Sequence, residues 1–388
     1  MRPLTIGIDL FALVPGAGRG GGFQRYGLGL ARALARLDDA HRYVLFANRR
    51  NADLLPSGGR VVQVVSRLAP EREVWPLRLV WQHLVLPREA RRLRLDVLHS
   101  PFDTAPLRVP CPSVVTLHDF ITDVFYPARF PGAVSPLKAW YLLHAKRHSV
   151  RHAAAVICES EAAAEQVRRH YGVPRLGIRV FPTGIDDSLA DRPARRRSDA
   201  RPRERPYILS VASLSPHKNA SGLLEAFRIA RERYALPHEL HLVGMPGTGA
   251  DLVARRLAAA AAAGLPVRAV GYVDEETLRA EYEDASLLVF VPLVEGFGLP
   301  PLEAMASGVP VVASDTSAVP EVCGDAALLV DPEDPGAVAE AMGRVLMDPA
   351  LAARLRAAGL ARAARFTWEA AALATRDTYE CVAGGGSA

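Results

Sequence analysis

The chain has 388 residues, 49% of them hydrophobic, and a formal net charge of +5 at pH 7. This length predicts two domains, and the apolar content is enough for a core in each. No apolar run reaches the ~18–20 residues of a membrane span, no signal peptide is recognised, and four widely spaced cysteines without a metal-binding pattern favour a reducing cytoplasm.

The first half of the chain alternates predicted strands with helices. Strands are predicted at Leu4–Phe11, Tyr43–Ala47, Val61–Val65, Leu95–His99, Ser113–Leu117, Ala154–Cys158 and Arg179–Pro182. A glycine-rich loop, Pro15–Gly22, precedes a helix predicted from Gln24 to Leu37. Another helix is expected after Ser160, which suits an N-cap. Trp75–Leu95 mixes apolar and basic residues, which favours a helix packed on the sheet over one lying on an anionic membrane.

Residues 192–205 contain seven arginines among Asp, Pro and Ala, which predicts a solvated linker at 188–205. No aromatic residues or binding motif accompany them, so nucleic acid is not expected as a partner. The alternation then restarts. Strands are predicted at Tyr207–Ser213, Glu239–Gly244, Val267–Val270, Leu287–Val291, Val309–Ala313 and Ala327–Val330, with helices between and after them, the last at Trp368–Val382.

Two such successions predict two facing Rossmann-like α/β domains, each with a doubly wound parallel sheet. The predicted limits are 1–187 for the first domain and 206–367 for the second. Ligands of such sheets bind beyond the C-terminal ends of the strands. We therefore expect the loops after the strands of both domains to meet across an interdomain cleft.

The most informative segment is Val291–Gly308, in which Glu295 and Glu303 are separated by seven residues. Two prolines are expected to start a helix there. The backbone N–H groups of Phe297, Gly298 and Leu299 would then form an anion-attracting N-terminus. Carboxylates accept hydrogen bonds from paired hydroxyls. The combination predicts a site for a ligand that carries both phosphate and hydroxyl groups, such as a nucleotide sugar.

Three other loops also follow predicted strands. Gly16, Gly18 and Gly21 match a dinucleotide fingerprint weakly, because four residues separate the strand from the loop. His118 and Asp119 lie at the end of a predicted strand. His118 is suited to contact with a sugar hydroxyl. Asp119 is suited to orienting His118, to orienting an acceptor hydroxyl, or to capping a turn. His217 and Lys218 follow the first strand of the second domain, where Lys218 would be a point charge for a diphosphate. No Asp-x-Asp motif is present, so no metal is predicted.

These motifs resemble the retaining GT-B glycosyltransferases of family 4. The likeness covers nearly the whole chain, and its strongest element is Glu295-Gly-Phe-Gly-Leu-Pro through Glu303-Ala-Met-Ala-Ser-Gly, the family's Glu-x7-Glu motif. Supporting matches are Val115–Asp119, Cys158–Glu161, Pro182–Asp186, Gly271–Asp274, Pro320–Asp325 and Phe366–Trp368. The detailed sequence of these motifs is similar to that of the branch that includes bacterial polysaccharide mannosyl- and rhamnosyltransferases.

The resemblance implies a role for each residue. Glu303 would hold the nucleotide ribose, Glu295 the transferred sugar, and His118 its other side. Backbone around Tyr272 and Val273 would meet the base. The diphosphate would be surrounded by Lys218, the N–H groups at Phe297–Leu299, and those of Gly21 and Gly22. His217 stands where many relatives have arginine, so we expect its protonation to affect activity. A terminal helix, 368–383, would cross back to the first domain.

The sequence thus predicts a retaining, metal-independent hexosyltransferase without a cofactor. Its partners would be a nucleotide-sugar donor and a saccharide, lipid-linked or small-molecule acceptor, and its location the cytoplasm, with peripheral contact at the inner membrane face left open. GDP-mannose or a related deoxyhexose donor is favoured over UDP and TDP sugars. The alternatives are a nucleotide-sugar epimerase or phosphorylase on the same fold, a dinucleotide-dependent oxidoreductase, and a non-catalytic binding protein.

Overall fold

A computed structural model of the chain describes residues 2–14, 21–66, 68, 75–171, 177–185, 206–245, 247 and 250–385. The chain divides into two compact units. Unit 1 contains Met1–Pro127, Ser135–Gly184 and Thr367–Ala388, and unit 2 contains Ala128–Val134 and Ile185–Phe366. The predicted arginine-rich linker lies outside the described residues, as do Gly16 and Gly18 of the predicted glycine loop.

Each unit is built on one parallel sheet. The strands of unit 1 are β1 Thr5–Asp9, β2 Arg42–Ala47, β3 Val61–Val65, β4 Val97–Ser100, β5 Ser113–Leu117, β6 Ala155–Cys158 and β7 Ile178–Val180, in the order β3-β2-β1-β4-β5-β6-β7. Those of unit 2 are β8 Tyr207–Val211, β9 Glu239–Val243, β10 Val267–Gly271, β11 Leu287–Phe290, β12 Val311–Ser314 and β13 Leu328–Val330, in the order β10-β9-β8-β11-β12-β13. Both orders are Rossmann-like, so the predicted fold class is confirmed.

The helices follow the strands as crossovers. They are α1 Gly21–Arg36, α2 Trp75–Val80, α3 Leu86–Arg92, α4 Tyr126–Arg129, α5 Pro136–His152, α6 Glu161–Tyr171, α7 Ala220–Tyr234, α8 Ala250–Ala262, α9 Glu275–Asp284, α10 Leu299–Ala306, α11 Val319–Cys323, α12 Pro335–Met347, α13 Pro349–Ala363 and α14 Trp368–Ala383. Short π-helical turns, Trp81–Val85 and Ile121–Phe125, precede α3 and α4. None of the described helices combines the length and the hydrophobicity that crossing a membrane requires.

The central strands are buried on both faces, as all five residues of β5 are, which is typical of parallel sheets covered by helices. The expected cap of α6 is confirmed, because Ser160 Oγ accepts the N–H of Ala163 at 3.1 Å. The helix predicted at Trp75–Leu95 does pack on the sheet: Trp81 is buried and stacks on Phe11 at 4.6 Å. It is not α-helical throughout, however, because residues Trp81–Val85 form a π-helical turn within it.

Two predictions about helices were wrong. The first helix begins at Gly21 rather than at Gln24, so the last two glycines of the loop belong to its first turn. The long helix α5 was not predicted at all. Its buried residues are Ala139, Lys146, Ser149 and Val150. Half of that face is polar, so it lacks the apolar periodicity that predicts a helix.

Candidate functional site

The strand order of unit 2 reverses between β8 and β11, which pair side by side in the sheet. Chains leave these two strands in opposite directions, so a crevice opens beyond their C-terminal ends. The segments that follow the two strands meet there. The N–H of Leu293, after β11, donates to the carbonyl of His217, after β8, at 2.8 Å.

Lys218 and Glu295 form an ion pair at this switch point. Both side chains are mostly buried, with 17% and 15% of their surface exposed. The Lys218 ammonium also lies 5.6 Å from the centre of the Phe290 ring. Asn219, in the left-handed conformation, fixes the turn: its Oδ1 accepts the N–H of Gly222, and its Nδ2 donates to the carbonyl of Pro332 at 2.7 Å. The predicted cation and the first predicted carboxylate are therefore neighbours.

The second carboxylate, Glu303, lies inside α10 and is only 4% exposed. The Tyr282 hydroxyl, on α9, donates to its Oε2 at 2.7 Å. This bond fixes the orientation of the carboxylate, which is what recognition of a diol requires. Glu303 and Glu295 belong to separate environments: one is bonded to a phenol and the other to an ammonium.

The turn before α10 has few backbone N–H groups that a ligand could use, and they belong to consecutive residues. Phe297 is buried and packs edge-on against Phe366 at 6.1 Å, so its side chain belongs to the core of unit 2 and is not available to a ligand. Gly298 has φ +108°, a conformation that favours glycine. The helix itself starts at Leu299 with two prolines next, which carry no N–H. The predicted contact of a phosphate with the N–H groups of Phe297, Gly298 and Leu299 stays a prediction.

His217 lies beside Lys218, as predicted, and the structure indicates its charge, which the sequence does not determine. Its side chain is buried, and burial, followed by the charge of Lys218, lowers the pKa of His217 to about 3. The imidazole is therefore neutral at pH 7. The prediction that protonation of His217 affects activity near neutrality is corrected, because the protein interior excludes a second positive charge there.

Val273 lies beyond the end of β10, the edge strand of unit 2. Its side chain packs against the core of unit 2, which leaves its backbone for contact with a ligand. The preceding Tyr272 is 66% exposed. The placement agrees with the predicted backbone contact to a nucleobase, which stays a prediction.

In unit 1, His118 follows β5 and is held from both ring nitrogens. Its Nδ1 lies 2.6 Å from Glu159 Oε2, and its Nε2 donates to the carbonyl of Pro101 at 2.7 Å. Burial opposes a charge on the ring, but the Glu159 carboxylate, then Asp103 and the Pro101 carbonyl, outweigh it and raise the pKa of His118 to about 9. His118 is an imidazolium at pH 7, and contact with a sugar hydroxyl requires it to share one of these bonds.

Asp119 does not orient His118, which corrects one of its predicted roles. Its Oδ1 accepts the N–H of Ile121 at 3.0 Å and so caps the next turn. Its backbone carbonyl accepts a bond from Lys146 Nζ at 2.7 Å. Lys146 is buried and also bonds Asp123 at 3.0 Å. Burial, foremost, raises the pKa of Asp119.

Gly21 and Gly22 are exposed and form the first two positions of α1. A Cβ at either position would meet no atom within 4 Å. Packing therefore does not demand glycine there, whereas close approach of a ligand to the backbone would. The predicted phosphate contact stays a prediction.

Sequence reasoning missed Glu159 and Tyr282 as site residues. A signal for Glu159 existed: β5 and β6 pair in parallel with Leu117 opposite Cys158, so the next residue of each strand, His118 and Glu159, emerges at the same edge. Tyr282 had no local signal, because its contact depends on how α9 packs near α10. Among the described residues, no three His, Cys, Asp or Glu side chains are grouped as a metal site would need.

Comparisons with known proteins identify similar families, relatives and a solved structure of the same fold. The family described as "Glycosyltransferase Family 4" matches residues 20–189, and "Glycosyl transferases group 1" matches residues 191–362. The O-antigen chain mannosyltransferase B of Escherichia coli is 27% identical over 92% of this chain and 96% of its own. The D-inositol 3-phosphate glycosyltransferase of Xylanimonas cellulosilytica is 31% identical over 94% and 93%, respectively. Sucrose-phosphate synthase from Thermosynechococcus elongatus shares the fold, with a TM-score of 0.77, 22% identity and coverage of 99% and 100%.

Proposed function

The chain belongs to glycosyltransferase family 4, and we propose that it moves a hexose from a nucleotide-diphosphate sugar to a hydroxyl of a saccharide or glycoconjugate acceptor, with retention of the anomeric configuration. Membership of this family favours a transferase over the epimerase and the dinucleotide-dependent oxidoreductase. The observation that supports the proposal most is the Lys218–Glu295 pair at the switch point of unit 2.

Departure of the nucleotide diphosphate creates an anion and an oxocarbenium-like sugar. Lys218 is held at the crevice by Glu295 and by the fixed turn at Asn219, so it needs little rearrangement to meet the diphosphate. The N–H groups of the turn before α10 add further donors. Preorganised donors of this kind are usually the largest catalytic contribution. We propose that they neutralise the leaving group without a metal ion or a cofactor.

Glu303 and Glu295 bind different parts of the donor in this proposal. Glu303, oriented by the Tyr282 hydroxyl at 2.7 Å, accepts the ribose hydroxyls. Glu295 accepts hydroxyls of the transferred sugar and is partly released by Lys218 when the diphosphate arrives. The contact between Lys218 and Glu295 is thereby partly replaced by two contacts with the donor. Lys218 then binds the diphosphate, and Glu295 binds the sugar hydroxyls.

The transfer step exchanges one bond at the anomeric carbon. The bond from this carbon to the leaving phosphate oxygen breaks, and a bond to the acceptor oxygen forms on the same face of the sugar. The phosphate takes the electron pair of the broken bond and the proton of the acceptor hydroxyl. No protein side chain is required as a general base, which agrees with the engagement of Asp119 in capping its own turn.

Mannose, or a related deoxyhexose, is the sugar we propose, with GDP as the favoured nucleotide. Support comes from the mannosyltransferase among the relatives and from the motifs of the polysaccharide branch. A saccharide or lipid-linked acceptor and a cytoplasmic location complete the proposal. The contacts predicted for His118, Gly21 and Gly22 with the donor stay predictions.

The test is turnover with a panel of GDP, UDP and TDP sugars, each with a panel of saccharide acceptors. We expect release of GDP from GDP-mannose or a GDP-deoxyhexose, linked to product formation. Proton NMR of the purified product identifies its anomeric configuration. A product with inverted configuration would contradict retention, and a clear preference for UDP or TDP sugars would overturn the proposed donor.

A metal requirement is tested in the same assay. Rates measured after dialysis against EDTA are expected to equal those with added Mg²⁺ or Mn²⁺. Loss of transfer in EDTA and recovery on adding either ion would refute metal independence. For the Lys218→Ala variant, the control is Arg228→Ala, which removes two exposed ion pairs of unit 2, with Glu225 and Glu232.

A further inference from the structure

Unit 1 exposes several large apolar side chains on three segments. Val80 and Leu84 belong to the helical segment 75–92, Leu107 to the loop 105–112, and Leu137 and Trp140 to α5. Leu137 is 73% exposed, Trp140 58%, Leu107 53% and Leu84 52%. Single exposed apolar residues are ordinary, whereas a group of them marks an interaction surface.

The three segments are joined at Leu107. Its N–H donates to His83 Nδ1 at 3.3 Å, on the segment 75–92. Its carbonyl accepts from His148 Nε2 at 3.1 Å, on α5. On α5, Trp140 packs on His144 at 4.3 Å, and three- and four-residue spacing places Leu137, Trp140, His144 and His148 on one side of the helix. The exposed apolar positions of α5 therefore lie on the same side of unit 1 as Leu107. We call the exposed residues of segments 75–92, 105–112 and 136–152 the Leu107 face.

The charge of the Leu107 face is strongly biased. Its three segments contain nine Lys and Arg residues but only one acidic residue, Glu89, whereas the whole chain has 47 basic and 42 acidic residues. Glu89 is already paired with Arg92 at 2.6 Å. Among the basic residues only Lys146 is buried within the unit. Helix α5 contains no acidic residue in its 17 positions.

We propose that the Leu107 face docks on the surface of a bilayer that contains anionic lipids. Exposed Leu and Trp side chains insert at the level of the headgroups, and the surrounding arginines are attracted to anionic lipids. Tryptophan, with its apolar ring and N–H group, is enriched at that depth. This combination of excess positive charge and exposed apolar side chains fits an anionic lipid surface better than it fits an acidic protein, which would leave the apolar side chains without partners.

The structure also reconciles the two interpretations of the Trp75–Leu95 segment. Its inner side packs on the sheet through Trp81, Leu86 and Ala90, all buried. Its outer side presents Val80, Leu84 and Arg88, all three of which are exposed. Packing on the sheet and contact with a membrane use opposite sides of the same segment.

The experiment is flotation of the full chain with vesicles of phosphatidylcholine alone or with added phosphatidylglycerol. We expect binding to the anionic vesicles to exceed binding to the neutral ones by at least about tenfold at low salt and to fall as salt is raised, because surface charges are screened. The double variant Leu137→Ser/Trp140→Ser should bind at least about tenfold less, since it loses both insertion and interfacial anchoring. The matched control is Met347→Ser, a 63% exposed apolar residue in unit 2, which should bind like the wild type.

Three results would overturn the proposal: no binding of the wild type to anionic vesicles, equal binding to neutral vesicles, or equal loss in the Met347→Ser control. Circular dichroism of each variant separates misfolding from loss of docking. Transfer to a soluble acceptor, measured in parallel, is expected to be unchanged in the double variant. The proposal does not depend on which sugar or acceptor the protein uses.

Discussion

The charge of His118 is testable by removing its carboxylate partner. Substitution Glu159→Gln keeps a hydrogen-bond acceptor beside Nδ1 but removes the negative charge, which lies 2.6 Å away. Burial opposes the imidazolium, and without Glu159 only Asp103 and the Pro101 carbonyl favour it. We therefore expect the pKa of His118 to fall from about 9 to its ordinary value of about 6.5 or below.

The raised pKa of His118 also makes the stability of the folded chain depend on pH. A pKa of about 9 in the folded chain, against about 6.5 in the unfolded chain, corresponds to roughly 3 kcal/mol. Because the folded pKa is the higher one, this stabilisation is fully present below pH 6.5 and is lost as the pH rises through 9. The free energy of unfolding of unit 1 should decline over this range in the wild type and stay nearly flat, from this group, in Glu159→Gln.

Two measurements decide the outcome. Carbon-detected NMR of the labelled imidazole gives the pKa of His118 directly, and urea unfolding at pH 6.5, 8 and 9.5 gives the pH dependence of stability. The control is Glu161→Gln, two residues away, whose side chain is 63% exposed and pairs loosely with Arg168. If wild-type His118 titrates near 6.5, or if Glu159→Gln keeps the wild-type pH dependence, the assignment of a charged pair is wrong.

Three further predictions concern unit 2. Lys218→Ala should lower kcat by about 10²–10³, the loss typical of one preorganised donor, while Arg228→Ala should not, and single-turnover rates with saturating donor would check this. Tyr282→Phe should raise the KM for the donor by about 2–10-fold with little change in kcat, because it removes one bond that orients Glu303; an unchanged KM would contradict this role. His217→Gln should not change the pH–rate profile between pH 5.5 and 8, since the pKa of His217 is about 3. If a change of rate near pH 6.5 in the wild type disappears in this variant, His217 is charged in the wild type and the prediction is wrong.

Much of the fold follows from sequence alone because the buried strands are short apolar runs with clear ends. β5, for example, is predicted at Ser113–Leu117 and observed there. The helix boundaries are less secure, and α5 was missed for a definite reason. Its inner face carries Lys146, whose charge is balanced by Asp123 and Asp103 from other segments. A helix whose buried face is half polar has no continuous apolar stripe by which to recognise it.

The candidate site divides in a similar way. Glu295 and Lys218 could be proposed from sequence because each follows a strand, and Glu303 because it lies one turn inside a helix that two prolines start. The contact between Lys218 and Glu295, 77 residues apart, requires the neighbouring positions of β8 and β11 in the sheet. Tyr282, which orients Glu303, is invisible to any local pattern because its role arises from packing alone.

Three buried histidines show why charge is the hardest property to predict. His99 bonds Tyr379 and Thr116, neutral hydroxyls at 2.7 and 2.8 Å, and burial lowers its pKa to about 3. His217 lies beside a lysine and is neutral as well, whereas His118 lies beside Glu159 and is charged. Desolvation is common to all three, so the sign of the nearest partner decides the outcome. Since that partner comes from another part of the chain for both His99 and His118, the charge of a buried histidine is set by tertiary structure and not by residue type.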